Sequence, residues 1–280
     1  MRPKVSVIIP CYNASQYIEE TLDSIFSQKI DGSIEVILID DGSTDNLKNH
    51  ITKYPELQYF HQVNSGVSAA RNYGFRLAVG EYVLFFDADD IMPQNFINDR
   101  LLPLIKAEEF GFCCGPVECF PKKENLLYGA ARNIPEEVLL YNSSIATCPS
   151  NYLIRRKILI DHNISFNENL SSSADRFYLL ELNKVTKGLL IEETPLLYRI
   201  SKTSMSHHIS ETLIGDSHLF LKEVKKHQLA PKAIRNYFFI KIYYILGAGY
   251  IRVGKPVLGI YFLLKRFLID PLYPLRKTAK

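Results

Sequence analysis

The sequence predicts an α/β fold: a mostly parallel sheet flanked by helices, with a helical, basic C-terminal extension. Apolar runs alternate with amphipathic stretches over residues 1–90, polar segments follow three of the apolar runs, and Lys and Arg are concentrated near the C-terminus. Repeated strand–helix units whose strands are almost wholly apolar are typical of a parallel sheet covered on both faces.

The N-terminal part of this pattern predicts three strands and a helix. Apolar runs predict strands over residues 4–10, 34–39 and 58–63. Between the first two, apolar residues at positions i, i+4, i+7 and i+8 predict an amphipathic helix over residues 18–26.

The next unit repeats the pattern, and the remaining elements are less regular. Residues 67–79 predict a helix ended by Gly80, and residues 81–86 predict a fourth strand. Further elements are expected as strands near residues 110–117, 150–154 and 189–198, and as helices near residues 156–161 and 175–187. From about Glu211 the chain is expected to be helical.

Three carboxylates, Asp87, Asp89 and Asp90, directly follow the apolar run 82–86. Carboxylates this close repel one another unless a cation neutralises them. Oxygen ligands suit Mg²⁺ or Mn²⁺, which complete their coordination with substrate phosphates. The alternative is a solvated acidic turn that caps the next helix, with Pro93 near its first turn.

The polar segments 10–13, 40–43 and 87–90 each follow a predicted strand. In a parallel sheet, ligands bind outside the carboxyl ends of the strands. The three segments are therefore expected to meet at one edge of the sheet and to form one site.

Charge divides the chain into two parts. Residues 222–280 hold 13 Lys or Arg and two acids, a net of +11, so residues 1–221 carry −8 of the total +3. We expect a catalytic domain over residues 1–210 and a helical region over 211–280. No recognised nucleic-acid motif accompanies the basic segment, so nucleic acid is not an expected partner.

The C-terminal region has two interpretations. Its apolar stretches, residues 236–251 and 256–264, are shorter than the roughly 20 residues a membrane span needs. Basic residues flanking Tyr- and Phe-rich helices favour an amphipathic surface on anionic lipid. Alternatively, these helices simply pack on the catalytic domain.

The five cysteines, at positions 11, 113, 114, 119 and 148, include no CxxC pair and match no zinc-site spacing. Reduced thiols in the cytoplasm are the simplest interpretation. A strand is predicted almost from the N-terminus, so no signal peptide is expected. Together with the basic region, this predicts a cytoplasmic protein at the inner face of the cell membrane.

Four segments together resemble one family. They are residues 7–13 (VIIPCYN), 36–45 (VILIDDGSTD), 64–74 (NSGVSAARNYG) and 86–90 (FDADD). In this order and spacing they resemble the inverting, nucleotide-sugar-dependent glycosyltransferases of family 2, of the bacterial surface-polysaccharide type. The resemblance implies the GT-A fold, which is Rossmann-like.

The resemblance also implies a nucleotide site. Pro10 and Tyr12 would line a uracil pocket, and Asp41 would bond the base. The other implied contacts to the nucleotide sugar are Asn13, Asn64, Gly66, Arg71 and Asp87. Asp87 and Asp89 would be the acid–any–acid pair at the ribose and the metal, Mn²⁺ or Mg²⁺, with Asp89 as the direct ligand. Alternatively, Tyr12 belongs to the core, Asp41 and Gly42 form a simple turn, and Arg71 pairs with an acid such as Asp41.

By the same resemblance, Asp175 is the catalytic base. Family members place a Glu-Asp pair at the start of a helix, and here Ala174 replaces the Glu. Contacts to the acceptor through that Glu are thereby in doubt. Asp175 could instead be a helix N-cap.

A segment after the last predicted core strand resembles the family's flexible loop. Arg199, Ser206 and His207 would close over the diphosphate, and His207 would complete the metal shell. A solvated loop is the alternative.

The implied reaction moves a sugar from a nucleotide-diphosphate donor, a UDP-sugar, to a hydroxyl of a glycan or lipid-linked acceptor with inversion, in cell-surface polysaccharide biosynthesis. A non-catalytic scaffold with a decayed site is the rival, because Ala174 departs from the family pattern. An oxidoreductase is excluded since no GxGxxG follows the first strand, and a P-loop is excluded since Pro256 replaces the required hydroxyl residue.

Overall fold

A seven-stranded, mostly parallel sheet organises the chain. The computed structural model describes residues 2–121, 124–127, 148–200, 211–228, 235–269 and 271. The strands are β1 (Val5–Cys11), β2 (Ile34–Asp40), β3 (Leu57–His61), β4 (Tyr82–Phe85), β5 (Phe110–Cys114), β6 (Val117–Phe120), β7 (Glu124–Leu127), β8 (Leu153–Arg155), β9 (Lys187–Leu190) and β10 (Leu196–Arg199).

Helices cover the sheet and form the C-terminal region. They are α1 (Ile18–Phe26), α2 (Leu47–Ile51), α3 (Val67–Leu77), α4 (Phe96–Lys106), α5 (Arg156–Asp161), α6 (Ala174–Val185), α7 (Glu211–Lys226), α8 (Arg235–Arg252) and α9 (Pro256–Ile269). Two of these helices, α1 and α5, have the same bounds as the helices predicted over residues 18–26 and 156–161.

The order of strands in the large sheet is β3-β2-β1-β4-β8-β5-β9, and a small sheet has the order β10-β6-β7. β1 pairs in parallel with β2 and β4, whereas β8 is antiparallel to β4 and β5. The prediction of a mostly parallel sheet flanked by helices is confirmed.

The single strand predicted near residues 189–198 is wrong. That segment forms two strands in different sheets, β9 in the large sheet and β10 in the small one. Glu192 and Glu193 lie between them, and Pro195 has no amide hydrogen to give to a sheet. The chain therefore leaves one sheet before it enters the other.

Residues of each central strand alternate between two hydrophobic clusters, one on each face of the sheet. Ile8 and Val83 belong to the cluster that contains residues of α6, and Val7 and Leu84 belong to the cluster that contains residues of α1 and α4. Since both faces are covered, the central strands are mostly apolar, as the sequence indicated.

The C-terminal helices pack on the part of the molecule that contains the large sheet. Apolar residues of α7 and α8 join the same cluster as α6: Ile214, Phe220, Leu221, Val224, Ile242 and Leu246. α9 packs against α8, where a Cβ added to Gly247 would lie 3.0 Å from the Gly259 oxygen. Among the described helices, none has the length and apolar character needed to cross a bilayer.

All five cysteines are buried, and they form no disulfide in the described part of the chain. Burial raises the pKa of Cys113 to about 12 and raises the pKa values of Cys11, Cys114 and Cys148 as well. The prediction of reduced thiols agrees with this arrangement.

Candidate active site

Loops at the carboxyl ends of β1, β2 and β4 meet at one edge of the sheet, because the three strands run parallel. Hydrogen bonds join the first two loops. The Asn13 amide donates to Ser43 Oγ over 3.0 Å, and the Thr44 amide donates to Asn13 Oδ1 over 2.8 Å. Asn13 has a φ of 51°, which asparagine tolerates better than most residues.

Pro10 and Tyr12 differ in their exposure at this edge. Pro10 is buried within β1, opposite Ile39 of β2. Tyr12 lies at the rim, with 54% of its surface exposed. Tyr12 is therefore not a core residue, and its ring is accessible to a ligand.

Asp41 fixes the turn that begins α3. Its carboxylate accepts hydrogen bonds from the Ser65 amide at 2.7 Å, the Gly66 amide at 2.8 Å and Gln62 Nε2 at 2.7 Å. Gly66 has a φ of 90° and directly precedes the helix. Asp41 and Gly66, both predicted to bind the nucleotide, are thus hydrogen-bonded to each other.

Asn64 lies against the loop that follows β2. A Cβ added to Gly42 would lie 2.9 Å from the Asn64 amide nitrogen, a distance that real Cβ atoms do not show. Gly42 also has a φ of 77°, which favours glycine. The close approach of these two loops therefore requires glycine at position 42.

Arg71 of α3 is 3% exposed and connects two carboxylates. Nη1 donates to Asp175 Oδ1 over 2.6 Å, and Nη2 donates to Asp87 Oδ1 over 2.7 Å. The guanidinium lies 4.9 Å from the centre of the Phe166 ring. Although burial alone would lower the pKa of Arg71, the charges of Asp175 and Asp87 raise it.

The two hydrogen bonds of Arg71 bring Asp87 and Asp175 together, although these acids are distant in sequence. The pairing of Arg71 with an acid was anticipated as an alternative to nucleotide binding. Its partners are Asp175 and Asp87. Asp41 accepts its three bonds from residues 62–66.

Asp175 is the second residue of α6, and its side chain is 31% exposed. Burial raises the pKa of Asp175 to about 6, with Arg71 opposing the rise and the charge of Asp87 adding to it. Ser173 is the residue at the N-cap position. Asp175 is therefore not the N-cap, which was the other interpretation of its position.

Asn72, next to Arg71, holds the segment that leads to α6. Its Nδ2 donates to the Phe166 carbonyl and to Glu168 Oε1, both over 2.9 Å, and its Oδ1 accepts from the Phe166 amide at 2.9 Å. α3 thus contacts α6 directly through Arg71, and it contacts the segment before α6 through Asn72.

The acidic segment after β4 contains one fully buried carboxylate. Asp90 is 0% exposed, and its Oδ1 accepts a hydrogen bond from the Arg199 amide at 3.1 Å. Burial raises the pKa of Asp89 to about 6, helped by the charge of Asp87, and burial likewise raises the pKa of Asp90. The acidic turn does not cap α4, because the residue before that helix is Asn95.

Asp87, Asp90 and Cys148 form a group whose ligand atoms all lie within 4.8 Å of one another. The Cys148 sulfur lies 3.8 Å from Asp87 Oδ2 and 3.6 Å from Asp90 Oδ2. Of the three predicted metal ligands, Asp87, Asp89 and His207, this group includes Asp87. Asp89 directly precedes Asp90 in the chain and lies two residues after Asp87. The role of Asp89 as a ligand stays a prediction.

Arg199, at the end of β10, supports the backbone of the acidic turn. Nε donates to the Asp89 carbonyl over 2.8 Å, and Nη2 lies 2.5 Å from Glu20 Oε2. The guanidinium also lies 4.7 Å from the Tyr17 ring centre. Ser206 and His207 lie outside the described residues, so their predicted roles stay predictions.

Asp216 of α7 holds the loop before α6. Its carboxylate accepts from the Ser171 amide at 2.6 Å, the Ser172 hydroxyl at 2.8 Å and the Ser173 amide at 2.9 Å, and also from the Ser173 hydroxyl. Asp216 is 7% exposed. The C-terminal region therefore contributes directly to the position of α6.

Sequence reasoning missed three of these residues as parts of the site: Asn72, Cys148 and Asp216. Asn72 lies inside a motif segment, so the segment itself was a signal for it. Cys148 and Asp216 lie in no motif, and only the folded chain brings them to the site.

A family model for glycosyl transferase family 2 matches residues 6–162, more than half of the chain. The uncharacterized glycosyltransferase YibD of Escherichia coli (strain K12) is 45% identical over 91 residues, which are 31% of this chain and 26% of YibD. The uncharacterized glycosyltransferase EpsJ of Bacillus subtilis (strain 168) is 39% identical over 230 residues, which are 74% of this chain and 64% of EpsJ. The chain thus spans less than two thirds of these two relatives.

Solved structures share the fold. The crystal structure of S. aureus TarS 1-349 in complex with UDP-GlcNAc superposes with a TM-score of 0.68 at 20% identity, covering 97% of this chain and 92% of that one. The mannosyltransferase PcManGT from Pyrobaculum calidifontis, in complex with GDP-Man and Mn²⁺, superposes with a TM-score of 0.61 at 18% identity, covering 99% and 83%. The match over residues 6–162 and the shared GT-A architecture lead to one conclusion: this chain belongs to glycosyl transferase family 2.

Proposed function

We propose that this chain moves a sugar from a UDP-sugar to a hydroxyl of a glycan or lipid-linked acceptor with inversion, in cell-surface polysaccharide biosynthesis. The observation that carries the proposal is the bridge from Asp87 through Arg71 to Asp175, which brings a motif acid and the expected base together at the edge of the sheet. The TarS structures with UDP and UDP-GlcNAc support a UDP-sugar donor.

The donor would bind across the loops after β1, β2 and β4. The exposed ring of Tyr12 would stack on the uracil, with Pro10 shaping the end of the strand beneath it. Asp41 would hold the turn through the Ser65 and Gly66 amides, so that the amides of the residues that follow, at the start of α3, face the nucleotide. Asn13 and Asn64 would supply polar contacts at the rim.

The acidic segment fits a divalent cation. Burial and the charges of neighbouring acids raise the pKa values of Asp89 and Asp90, and a bound cation would favour their ionised forms. Carboxylate oxygens suit Mn²⁺ or Mg²⁺, while the nearby Cys148 thiol is a softer ligand. Asp89 and Asp87 would hold the ion, which would stabilise negative charge on the departing diphosphate. The PcManGT complex with Mn²⁺ agrees with this assignment.

Asp175 would act as the general base. Its carboxylate takes the proton of the acceptor hydroxyl as the acceptor oxygen bonds to the anomeric carbon. The bond between that carbon and the diphosphate oxygen breaks, and UDP leaves with the electron pair. Attack from the face opposite the leaving group inverts the anomeric configuration, so an α-linked donor gives a β linkage.

An assay of UDP release from a panel of UDP-sugars, with and without Mn²⁺, tests the proposal. Asp175→Asn should slow release by at least about 100-fold while UDP still raises the melting temperature. Asp161→Asn is the matched control, because Asp161 pairs with Lys157 on the surface of α5.

The rival is a scaffold that binds sugar nucleotides without catalysis. A wild-type chain that is stabilised by UDP but releases none from any UDP-sugar would favour the scaffold and contradict the proposal. Normal release by Asp175→Asn would reject Asp175 as the base. Asp89→Asn should likewise abolish Mn²⁺-dependent release, and normal release by this variant would reject its role as a metal ligand.

We also propose that the reaction takes place at the cytoplasmic face of the cell membrane, where lipid-linked acceptors are accessible. The excess of basic residues over residues 222–280 supports this location.

A further inference from the structure

One face of α9 exposes a continuous apolar stripe. Its residues recur at spacings of three and four and are each 49–80% exposed: Val257, Ile260, Tyr261, Leu264, Phe267 and Leu268. Phe262, on the opposite face, is buried and stacks on Tyr250 of α8 at 5.7 Å between ring centres. The inner face therefore fixes the helix, and the outer face presents the apolar stripe to the surroundings.

Basic residues accompany the stripe, and the first acid after it in the sequence is Asp270, directly beyond α9. Residues 235–269, which comprise α8 and α9, contain six Lys or Arg and no Asp or Glu. Lys265 Nζ lies 4.5 Å from the Tyr261 ring centre, and Lys255 is exposed at the turn between the helices. Such long side chains cover apolar surface with their stems and keep their charged ends in water.

We propose that the α9 stripe binds the surface of an anionic lipid bilayer, with the helix lying in the plane of the interface. Apolar side chains would enter the boundary between head groups and acyl chains, and the flanking cations would contact lipid phosphates. Tyr261 suits this depth because its ring is apolar and its hydroxyl is polar. The surface would hold the protein beside lipid-linked acceptors.

Two other occupants fit the stripe less well. A second copy of the chain, related by a twofold axis, would bring identical basic faces together, and their like charges would repel. A membrane span is excluded by length, because the 14 residues of α9 extend about 21 Å and a hydrocarbon core is about 30 Å thick.

Flotation of the full chain with vesicles tests the proposal. The wild-type chain should float with vesicles of phosphatidylcholine containing roughly a third phosphatidylglycerol, and much less with phosphatidylcholine alone or in about 0.5 M salt. The double variant Leu264→Glu, Leu268→Glu should lower the partition coefficient at least about tenfold. Because both positions are exposed, the melting temperature should be unchanged.

Ile160→Glu is the matched control: Ile160 is an apolar residue of α5 that is 51% exposed. It should bind vesicles as the wild-type chain does. The proposal is overturned if the wild-type chain does not float with anionic vesicles, or if the double variant floats equally well. A dimer that the double variant abolishes, seen by light scattering without vesicles, would also overturn it in favour of a second copy.

The inference is independent of the donor and of Asp175. UDP release in vesicle-free solution should be the same for the wild-type chain and the double variant. A double variant that loses vesicle binding but releases UDP normally would support the membrane surface and leave the proposed reaction unaffected. Absence of UDP release in both chains would instead contradict the proposed reaction.

Discussion

At the scale of single residues, Arg71 determines the electrostatics of the site. It is buried, and its two ion pairs join Asp87 to Asp175 at 2.7 Å and 2.6 Å. Without this cation the two acids would face each other in a partly desolvated region, where like charges disfavour ionisation. The basicity of Asp175 therefore depends on a residue of a different helix.

The rate of UDP release should depend on the ionisation of Asp175. A base must be deprotonated to accept a proton, and burial raises the pKa of Asp175 to about 6. We expect kcat/KM to fall as the pH is lowered through about 6 and to level off above it. Asp161→Asn should keep this midpoint. A rate that is constant between about pH 5 and about pH 7 would contradict the assignment.

Arg71→Met should move that midpoint to higher pH. Removal of the cation takes away the interaction that lowers the pKa of Asp175, so more of the base is protonated at neutral pH. The free energy of unfolding should fall by about 3 kcal/mol, because two partly buried carboxylates lose their partner. Urea titration and the pH profile measure the two effects.

Arg76→Met is the control for this change, since Arg76 lies on the same helix and is exposed. Arg76→Met should alter neither the pH midpoint of kcat/KM nor the free energy of unfolding. An unchanged pH midpoint in Arg71→Met would show that Arg71 does not tune Asp175.

The motif residues and their meeting at one edge of the sheet were predictable, but the individual bonds between them were not. Asp41, Asp87 and Asp175 stand out in the sequence, whereas the bond from Arg71 to Asp175 spans 104 positions of the chain. Local patterns contain no information about contacts over such distances. For the same reason Cys148, which has no motif of its own, could not be assigned to the acidic group.

At the scale of elements, the start of α6 is held from two sides. Asn72 of α3 holds residues 166–168, and Asp216 of α7 holds residues 171–173. Asp175 therefore lies on a helix whose first turn is fixed by elements before and after it in the chain. In the proposed reaction, such support of Asp175 would lower the cost of reaching the productive geometry.

Asp216→Asn should slow UDP release, although the Asp216 side chain contacts the serine loop and not the proposed substrate. The amide replaces a charged acceptor of four hydrogen bonds, so we expect about 1–3 kcal/mol lower stability and a displaced first turn of α6. A positioning role also predicts a lower kcat with little change in KM for the donor, which a loss of stability alone would not produce below the melting temperature.

The control is Glu223→Gln on the same helix, where Glu223 pairs with His227 at 3.4 Å, away from the serine loop. Its kcat should equal that of the wild-type chain. If Asp216→Asn lowers stability but leaves kcat unchanged, its role is structural only.

The boundaries of helices and strands were predictable where the hydrophobic periodicity is strong. Their prediction failed where the chain passes from one sheet to the other. The helix over residues 18–26 and the apolar strands β1 and β2 follow from spacing alone. The segment 187–199 contains two apolar runs, residues 189–191 and 196–198, and its division between β9 and β10 depends on which sheet has a free edge. That information belongs to the tertiary fold.

At the scale of the whole molecule, charge and packing divide the chain differently. The sign of the charge separates residues 1–221 from residues 222–280, whereas the hydrophobic cluster on one face of the sheet includes both α6 and α7. Phe220 is 1% exposed within that cluster. The domain boundary expected between residues 210 and 211 lies directly before α7. However, α7 is part of the hydrophobic core.

A chain that ends at residue 210 should not fold stably. Without α7 and α8 it would expose the cluster around Phe177 and Leu180 and would lose the bonds that Asp216 makes to the serine loop. Loss of several buried apolar side chains costs about 2–4 kcal/mol each, which exceeds the stability of most domains. Soluble yield and the presence of a cooperative melting transition measure the result.

A chain that ends at residue 269 is the control, because it keeps α7, α8 and α9, and it should melt as the full chain does. A 1–210 chain that is soluble, melts cooperatively and binds UDP would instead establish the separable catalytic domain that the charge pattern predicted.

The burial of every native thiol makes this protein convenient for site-specific labelling. Thiolates are the reactive form, and burial keeps Cys11, Cys113, Cys114 and Cys148 protonated at neutral pH. Maleimide dyes should therefore leave the folded wild-type chain unmodified while they react with Ile160→Cys. A fluorophore could then report on ligand binding in a chain that keeps all five of its own cysteines.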